Sequence, residues 1–300
     1  MSSKATVFGL GEILWDIFPA GRSLGGAPLN FARHCNQLGA AACPVSCLGR
    51  DELGAEARTK LTEIGLPLEH VAEDSGHPTG SVLVSLDERG VPNYTIREQV
   101  AWDVIPSSPR LLQAAESAEG ACFGSLAQRS PVSADTIHAF LSAMPARALK
   151  IFDVNLRQHF YSQARIERSL ELANVLKLSD EELPVMASML GLGGTVTDQL
   201  ATLRKRFDLR LVAYTRGGKG SLLVTDTELH EHPGHPTNVV DTVGAGDSFT
   251  ATLCVGLLND IPLPELNNHA NLVAAFVCSQ KGATPTLPIH LKKTLNHDTK

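Results

Sequence analysis

The chain has 300 residues, 43% of them hydrophobic and 19% charged, which is typical of a soluble globular protein with a large core. The formal net charge of -6 gives no reason to expect nucleic acid or an anionic membrane as a partner, because both select for clustered Lys and Arg. The sequence contains no apolar run of the roughly 18 residues that a membrane span needs and no signal-like start, so we expect a cytoplasmic protein with reduced cysteines.

The N-terminal residues predict strands that lead into a polar position. Residues 6–11 (TVFGLG) form an apolar run that ends in glycine, which is typical of a buried parallel strand. Residues 12–18 (EILWDIF) predict a second strand, on which Asp16 is a carboxylate among mostly apolar neighbours. Two interpretations of Asp16 stay open: a solvated carboxylate on an edge strand, or an acceptor for the hydroxyl groups of a ligand.

A glycine pair and a helix follow a turn predicted over residues 19–23. Gly25 and Gly26 permit a ligand to approach the backbone closely. Residues 28–38 predict a helix, with proline near its start and glycine just after its end. Asn30 lies in the first turn of this helix and by itself would be interpreted as a capping residue.

Residues 77–100 depart from the pattern around them. Two β-prone runs, 79–86 and 93–98, are joined by DERGVP at 87–92, which predicts a hairpin. Together with residues 12–24, these strands predict a small sheet that stands off the main one.

The rest of the chain alternates between strands and helices, which predicts an α/β fold with a doubly wound, mostly parallel central sheet flanked by helices. Strands are predicted at 42–48, 121–124, 148–154, 175–178, 211–215 and 221–225, and helices at 52–64, 108–115, 133–144, 247–258 and 268–278. We assign 1–11, 25–76 and 101–300 to the main domain, and 12–24 and 77–100 to the small sheet. Ligands of such folds bind beyond the carboxyl ends of the strands, which favours the polar segment DVNLR at 153–157 as part of a site.

Two other polar segments carry weaker signals. The turn in LVAYTRGGKG lacks the GKS or GKT of a P-loop, so Lys219 is not given that role. The segment ELHEHPGH places His230, His232 and His235 close together, but it is not HExxH and Pro233 interrupts it, so a metal site is disfavoured.

The strongest chemical signal lies at residues 239–258, VVDTVGAGDSFTATLCVGLL. Gly244, Ala245 and Gly246 precede an apolar helix, and the backbone amides of such a turn form a cradle for an anion such as phosphate. Asp247 would repel that anion unless it acts as a general base that takes a proton from an attacking hydroxyl group. The alternative is a tight turn whose aspartate merely starts a helix.

Two segments resemble the signatures of one family. DTVGAGDSF resembles the C-terminal signature of the ribokinase-like (PfkB) carbohydrate kinases, and GGAPLNFARHCNQLG resembles their N-terminal signature. The segments lie more than two hundred residues apart and in the family's order, so the resemblance covers essentially the whole chain.

The resemblance implies roles for individual residues. Gly244, Ala245, Gly246 and Asp247 would be catalytic. The sugar would be bound by Asp16, Gly25, Gly26, Asn30, Asn155 and Arg157. The nucleotide would be bound by Thr215, Gly217, Gly220, Asn271, Cys278 and Gly282. Glu182 would organise water around magnesium, although Ser179 replaces the family's usual asparagine, and Asp241, Thr242 and Ser279 would lie at a monovalent-cation site.

The function implied is ATP-dependent phosphorylation of a primary hydroxyl group of a monosaccharide, with Mg2+ and with K+ as a further cofactor. GEILWDIFP, GGAPLNFA and NYTIREQVAWDVI look most like bacterial fructokinases. Ribose, 2-keto-3-deoxygluconate and nucleosides are alternative substrates, and a non-catalytic sugar- or nucleotide-binding relative is the alternative to an enzyme. A dinucleotide-binding oxidoreductase is disfavoured because GLGEILWD stands where GxGxxG would be expected. The small sheet would act as a lid over the sugar and pair with that of a second subunit.

Overall fold

The computed structural model describes residues 4–19, 21–86 and 92–293. In chain order the strands are β1 (Thr6–Leu10), β2 (Leu14–Phe18), β3 (Gly21–Gly25), β4 (Ala41–Gly49), β5 (Val71–Asp74), β6 (Gly80–Leu86), β7 (Pro92–Ile96), β8 (Gly120–Phe123), β9 (Leu149–Asp153), β10 (Val175–Ser179), β11 (Leu211–Thr215), β12 (Ser221–Val224) and β13 (Leu229–His232). The helices are α1 (Ala27–Gln37), α2 (Glu52–Glu63), α3 (Pro109–Glu116), α4 (Pro131–Ala143), α5 (Gln163–Leu172), α6 (Glu182–Leu190), α7 (Val196–Arg206), α8 (Ala245–Leu258), α9 (Leu263–Cys278) and α10 (Ile289–Lys293).

Nine strands form the central sheet, in the order β13-β12-β11-β10-β9-β8-β1-β4-β5. The strands from β11 to β5 in this order run parallel, whereas β12 and β13 are antiparallel additions at one edge. After β1 the chain first builds outwards through β4 and β5, and then returns to the other side of β1 with β8. This reversal creates a crevice beyond the carboxyl ends of β1 and β8, where such sheets bind ligands.

Helices cover both faces of the sheet. Successive side chains along each strand point to opposite faces, so the strands contribute to a hydrophobic core on each face. Val7, Ile151 and Val175 pack with α1, α8 and α9 on one face. Phe8 and Phe152 point the other way, into the core formed with α3 to α7. Both faces are therefore apolar, as the near-continuous apolar runs in the strands predict.

A second sheet of four strands has the order β3-β2-β6-β7. Strands β2 and β6 pair in parallel, and each has an antiparallel partner at the edge of the sheet. The turn predicted over residues 19–23 was too long, because β3 begins at Gly21 and its backbone pairs with β2. The turn of the predicted hairpin, at 87–91, lies outside the described residues.

The predicted fold class is confirmed: a mostly parallel, doubly wound sheet carries helices on both faces and is accompanied by a small separate sheet. The sequence analysis did not identify the edge strands β5 and β13 or the helices α5 to α7. The assignment of residue ranges to two domains remains a prediction. In the described part of the chain, no helix has the length and apolarity required to cross a bilayer.

Candidate active site

Helix α8 begins at a glycine whose conformation no other residue adopts easily. Gly244 has φ 80 and ψ -4, in the left-handed region. A Cβ atom at this position would lie 2.2 Å from the carbonyl oxygen of Ala283, so the turn is packed tightly against the C-terminal segment. The amides of Gly246 and Asp247 lie in the first turn of α8 and therefore have no acceptor within the helix. The start of α8 therefore presents free amides, as the predicted cradle requires, and its binding of an anion remains a prediction.

Asp247 is held by a residue from the other signature. Its Oδ2 accepts a hydrogen bond of 2.8 Å from Nδ2 of Asn30, which lies in the first turn of α1. Helices α1 and α8 pack side by side on one face of the sheet, and this packing brings the two residues together. Asp247 also lines a cleft with Pro28, Phe31, Gly124, Asp153 and Asn155.

The surroundings of Asp247 favour a carboxyl group that changes charge near neutral pH. Desolvation in the cleft raises the pKa of Asp247 to about 6, and the nearby carboxylate of Asp153 adds to this rise. The hydrogen bond from Asn30 and the charges of Lys177 and Arg157 oppose it. A base with this pKa is ionised at pH 7 yet still basic enough to accept a proton.

Behind the cradle lies a buried ion pair that the sequence analysis missed. Lys177 Nζ lies 3.0 Å from Oδ1 of Asp153, and Thr250 donates a hydrogen bond of 2.8 Å to the other oxygen. A Cβ atom on Gly246 would lie 3.0 Å from Lys177 Nζ, so the ammonium group sits directly against the first turn of α8. The available signal was a lysine inside the otherwise apolar run VLKL.

The residues predicted to bind the sugar lie around the start of α1. Asp16 is on β2 of the small sheet, and a Cβ atom on Gly25 would lie 3.0 Å from its Oδ2. Burial raises the pKa of Asp16 to about 6, while Arg157 lowers it. Gly26 has φ 118 and immediately precedes α1. The structure thus places Asp16 beside Gly25, and Gly26 beside Asn30, and of these residues Asn30 contacts Asp247.

The sequence analysis also missed Glu12, a buried carboxylic acid beside this group. It is 3% exposed, and its Oε2 is buried without a hydrogen-bond partner among the described residues. Its position directly after β1, among apolar residues, was the signal that could have identified it.

The loop after β9 carries the remaining predicted sugar ligands. Asn155 has a φ of 43, which is unusual for a residue other than glycine. Arg157 is exposed, and its Nη1 donates only to the adjacent carbonyl of Leu156 among the hydrogen bonds of the described residues. The guanidinium group nevertheless acts electrostatically on the carboxyl groups of Glu12, Asp16 and Asp247.

Glu182 ties this loop to β10. Its Oε1 accepts the amide of Leu156 at 2.9 Å, and its Oε2 accepts the amide of Ser179 at 2.7 Å. Ser179 Oγ in turn accepts the amide of Glu182 at 3.3 Å. The serine that replaces the family's asparagine therefore exchanges hydrogen bonds with Glu182 across the turn that leads into α6.

The residues predicted to bind nucleotide occupy two neighbouring regions. Thr215 ends β11, and Gly217 has a φ of 55 with open space where a side chain would project. Gly220 is required sterically, because a Cβ atom there would lie 1.9 Å from the carbonyl oxygen of His232. Asn271 is buried, and its amide group bonds to Ser221 Oγ at 2.7 Å.

The segments around Asp241 and Cys278 are joined by backbone contacts. Asp241 Oδ2 accepts the amide of Gly282 at 3.0 Å, and the carbonyl of Cys278 accepts the amides of Val240 and Asp241. Ser279 Oγ donates to the carbonyl of Phe276. Thr242 is exposed in the same turn. The predicted cation-site residues are therefore neighbours, and their role remains a prediction.

The histidine cluster has a geometry that disfavours metal binding. His232 Nδ1 accepts the amide of Gly234 at 3.0 Å, so its Nε2 carries the proton. Both His232 Nε2 and His235 Nε2 lie 3.1 Å from Oδ1 of Asn268, which accepts hydrogen bonds from them. Nitrogen atoms that donate protons to an amide oxygen have no free lone pair for a metal.

Comparison with known proteins identifies a family and several relatives that are similar to this chain. Residues 19–290 match the model of the pfkB family carbohydrate kinases. A fructokinase from Escherichia coli is 30% identical over 308 residues, which cover 96% of this chain and 97% of that one. A sugar kinase from Pyrococcus horikoshii, solved in complex with ATP, has a TM-score of 0.79 and 27% identity over 92% of this chain and 93% of its own. The fructokinase of Vibrio cholerae, solved with fructose, ADP and calcium, has a TM-score of 0.81 and 25% identity over 98% and 100% of the two chains.

The fold and the relatives are those of a sugar kinase, a phosphotransferase that uses an alcohol group as acceptor. The chain belongs to the PfkB family of carbohydrate kinases. The resemblance inferred from the two signatures is thereby confirmed. The roles of the individual site residues remain predictions.

Proposed function

We propose that this chain transfers the γ-phosphoryl group of ATP to a primary hydroxyl group of fructose. The observation that supports the proposal is the hydrogen bond between Asn30, in the first turn of α1, and Asp247, a carboxyl group of raised pKa in the first turn of α8. ATP is supported by the relative from Pyrococcus horikoshii that was solved with it, and fructose by the Escherichia coli and Vibrio cholerae relatives.

In the proposed reaction, Asp247 accepts the proton of the sugar hydroxyl group. The oxygen of that hydroxyl group meanwhile forms a bond to the γ-phosphorus. The bond from that phosphorus to the bridging oxygen breaks, and ADP leaves with the electron pair. The first-turn amides of α8, reinforced by the Lys177 ammonium group, hold the negative charge of the phosphoryl group in transit. Arg157 is free to pair with the same charge, because no carboxylate holds it within the described residues.

The residues around Glu182 fit a magnesium ion that is bound mainly through water and nucleotide phosphates. Each carboxylate oxygen of Glu182 accepts one amide and keeps a lone pair, so water on a metal is able to donate to it. When bound, Mg2+ would neutralise charge on the phosphates. For the monovalent cation, we propose K+ beside Asp241, Thr242 and Ser279, where it would stabilise the turn that starts α8.

A panel of acceptors with ADP release as the readout tests the substrate. Fructose should give a kcat/KM at least about tenfold above those of ribose, 2-keto-3-deoxygluconate and nucleosides, a ratio that about 1.4 kcal/mol of differential binding supplies. A preference for another acceptor would contradict fructose as the substrate but would leave the proposed kinase activity intact. Sugar-dependent melting without ADP release from any acceptor would support a non-catalytic binding protein.

We also propose that the small sheet is a lid through which two copies of the chain pair. Phe18 and Tyr94 lie on one face of this sheet and are 42% and 49% exposed, while Leu83 lies on the other face and is 53% exposed. Gln158, next to Arg157, donates a 2.6 Å hydrogen bond to the carbonyl of Tyr94 and so connects the lid to the phosphoryl end of the cleft. Apolar side chains this exposed on a small sheet favour burial against a second copy.

A further inference from the structure

Arg129 is a buried cation at the base of the small sheet. It lies in the short helical turn Leu126–Arg129 that follows β8, and its side chain is only 7% exposed. Burying an arginine costs free energy unless its donors find partners. Its partners come from three separate parts of the chain, and they show what the side chain holds together.

The first partner is Asp103, in the helical turn Ala101–Val104, where the chain returns from the small sheet towards α3. Arg129 Nε and Nη2 lie 2.7 and 2.8 Å from Oδ1 and Oδ2 of Asp103. Asp103 is itself 7% exposed, and its Oδ2 also accepts the amide of Val100 at 3.1 Å. Two parallel hydrogen bonds fix the plane of the guanidinium group, which a lysine does not reproduce.

The second contact is with the small sheet. Arg129 Nη2 donates a 2.7 Å hydrogen bond to the carbonyl of Arg97, the residue after β7. The amide of Arg97 donates to the carbonyl of Ser81 on β6, so Arg97 still belongs to the pairing of this sheet. Arg129 Cζ also lies 3.9 Å from the ring centroid of Trp102, and a Cβ atom on Gly80, where β6 begins, would lie 2.3 Å from Nε1 of that ring. The guanidinium group and the indole ring therefore contact both the entry to β6 and the exit from β7.

The third contact is with the loop after β9. Arg129 Cζ lies 4.7 Å from the ring centroid of Phe160, which is 6% exposed. The amide of Phe160 donates to the carbonyl of Arg157 at 3.0 Å, so one turn of backbone separates this ring from Arg157. Gln158, between them, donates to the carbonyl of Tyr94 on β7. The loop is thus joined to the small sheet twice, once directly and once through Arg129.

Stability alone does not account for this arrangement. Arg129 Nη1 and Trp102 Nε1 are both buried without a hydrogen-bond partner among the described residues. Apolar side chains of similar volume often stabilise a fold as well as a buried ion pair or better. The ion pair differs from them in being directional, because the planar guanidinium group sets the position of Arg97 relative to the loop after β9.

We propose that Arg129 is a positioning residue for Arg157. It clamps the exit from β7 and the loop after β9 in one relative arrangement, so that Arg157 stands at the phosphoryl end of the cleft while the small sheet covers the sugar. This inference rests on the function proposed for the cleft and on the small sheet being its lid.

The test begins with Arg129→Lys, which keeps the charge but loses the two parallel hydrogen bonds and the flat surface that stacks on the rings. The kcat/KM for fructose should fall at least about tenfold, while the KM for ATP stays within about twofold. The matched control is Arg206→Lys. Arg206 likewise contacts a carboxylate, a backbone carbonyl and a ring, those of Glu167, Leu190 and Phe207, but it lies among α5, α6 and α7. Its replacement should change neither constant.

A double-variant cycle separates positioning from a merely structural role. In an Arg157→Ala background Arg129 has nothing left to position, so adding Arg129→Lys should lower kcat/KM by less than about threefold further. The proposal is overturned if Arg129→Lys costs the same factor in both backgrounds, or if it leaves the wild-type kcat/KM unchanged. If Arg129→Lys does not fold, Asp103→Asn replaces it in the cycle, because asparagine keeps an oxygen for the Val100 amide but not the ion pair.

Hydrogen exchange tests the clamp independently of the proposed function. The amides of Arg97 and Phe160 should both exchange at least about tenfold faster in Arg129→Lys than in the wild type. The amide of Val154, which donates to the carbonyl of Lys177 between β9 and β10, is the internal control and should not change. If the wild type phosphorylates none of the acceptors, the proposed function fails, while this measurement still decides whether Arg129 joins the two segments. Unchanged exchange at either of the first two amides, or equal acceleration at all three, would refute the clamp.

Discussion

Asp247 combines three properties that a general base requires, and each has a separate source. Asn30 orients its carboxyl group through the 2.8 Å hydrogen bond. Desolvation and Asp153 make it more basic, while Lys177 and Arg157 keep it ionised at neutral pH. Single substitutions at this residue should therefore separate catalysis, pH dependence and stability.

Asp247→Asn should lower kcat by about 10²–10⁴-fold, because asparagine preserves the shape and the Asn30 contact but cannot accept the proton. Sugar affinity, measured by calorimetry, should change by less than about threefold. Asp135→Asn, on the exposed surface of α4, is the control and should leave kcat unchanged. Near-normal turnover in Asp247→Asn would remove this residue from the proposed mechanism.

The pH dependence of the wild type should report the same group. The base must be ionised, so kcat/KM for sugar should rise as the pH increases through about 6. Steady-state assays between pH 5 and 7 would measure this limb, in buffers of constant ionic strength. A limb centred near the unperturbed value of 3.8 would contradict the desolvation that the structure shows.

The free energy of unfolding should decrease over the same pH range in which kcat/KM increases. The folded state raises the pKa of Asp247 from 3.8 to about 6, so it binds this proton more tightly than the unfolded state does. The aspartate therefore costs stability as the pH rises through this window, and above about pH 6 the full cost remains. Asp247→Asn should accordingly be more stable than the wild type at pH 7.5, by on the order of 1–2 kcal/mol, and equal to it near pH 4 in urea unfolding.

At the scale of elements, the site depends on how α8 begins and what it packs against. Gly244 lets the chain turn into the helix, Thr250 one turn further on bonds to Asp153, and the first turn lies over Lys177. Helix α1 supplies Asn30 from the side. The geometry of the proposed site is thus a consequence of packing among α1, α8 and the ends of β9 and β10.

Gly244→Ala should show this dependence, with Gly191→Ala as its matched control. Both glycines have positive φ, 80 and 66, but a Cβ atom meets the Ala283 carbonyl at Gly244 and open space at Gly191. Gly191→Ala should cost about 1 kcal/mol of unfolding free energy from backbone strain alone. Gly244→Ala should cost more than about 3 kcal/mol and reduce kcat, because the amide cradle must shift. If urea unfolding gave the same loss of unfolding free energy for both variants, the contact with Ala283 would contribute nothing to the cost at Gly244.

At the scale of the whole molecule, the proposed lid would join substrate closure to assembly. It is built from two separate parts of the chain and connects to the phosphoryl end of the cleft through Gln158. A lid that excludes water would protect the phosphoryl group from hydrolysis. Pairing of two lids would hold each in a defined position over its cleft.

Light scattering with size-exclusion chromatography should therefore find a dimer, at twice the chain mass of 32.0 kDa. Phe18→Glu should shift it to a monomer, because a charge would be buried in the pairing surface. Leu229→Glu is the control: Leu229 has a similar exposure, 46% against 42%, but lies on β13 at the edge of the central sheet. A monomeric wild type, or a dimer unaffected by Phe18→Glu, would exclude lid pairing.

The sequence by itself determined those features that depend on residues close together along the chain. Near-continuous apolar runs specified strands buried on both faces, and the glycines around residues 244–246 specified the turn before α8. The spacing of apolar residues, the conformation of a turn and the free amides in the first turn of a helix all depend on residues that are close together in the chain. A short segment therefore encodes them completely. The family signatures were recognisable for the same reason.

Only the tertiary structure decided which charges meet and how deeply they are buried. Asn30 and Asp247 are 217 residues apart in the chain, and Asp153 bonds to both Lys177 and Thr250, which lie on separate elements. Glu12 and Lys177 were missed because a single glutamate or lysine in an apolar run does not reveal its partner. Hydrogen-bond distance and desolvation arise only when strands and helices pack at the crevice beside β1, and these two quantities set the pKa values on which the proposed chemistry depends.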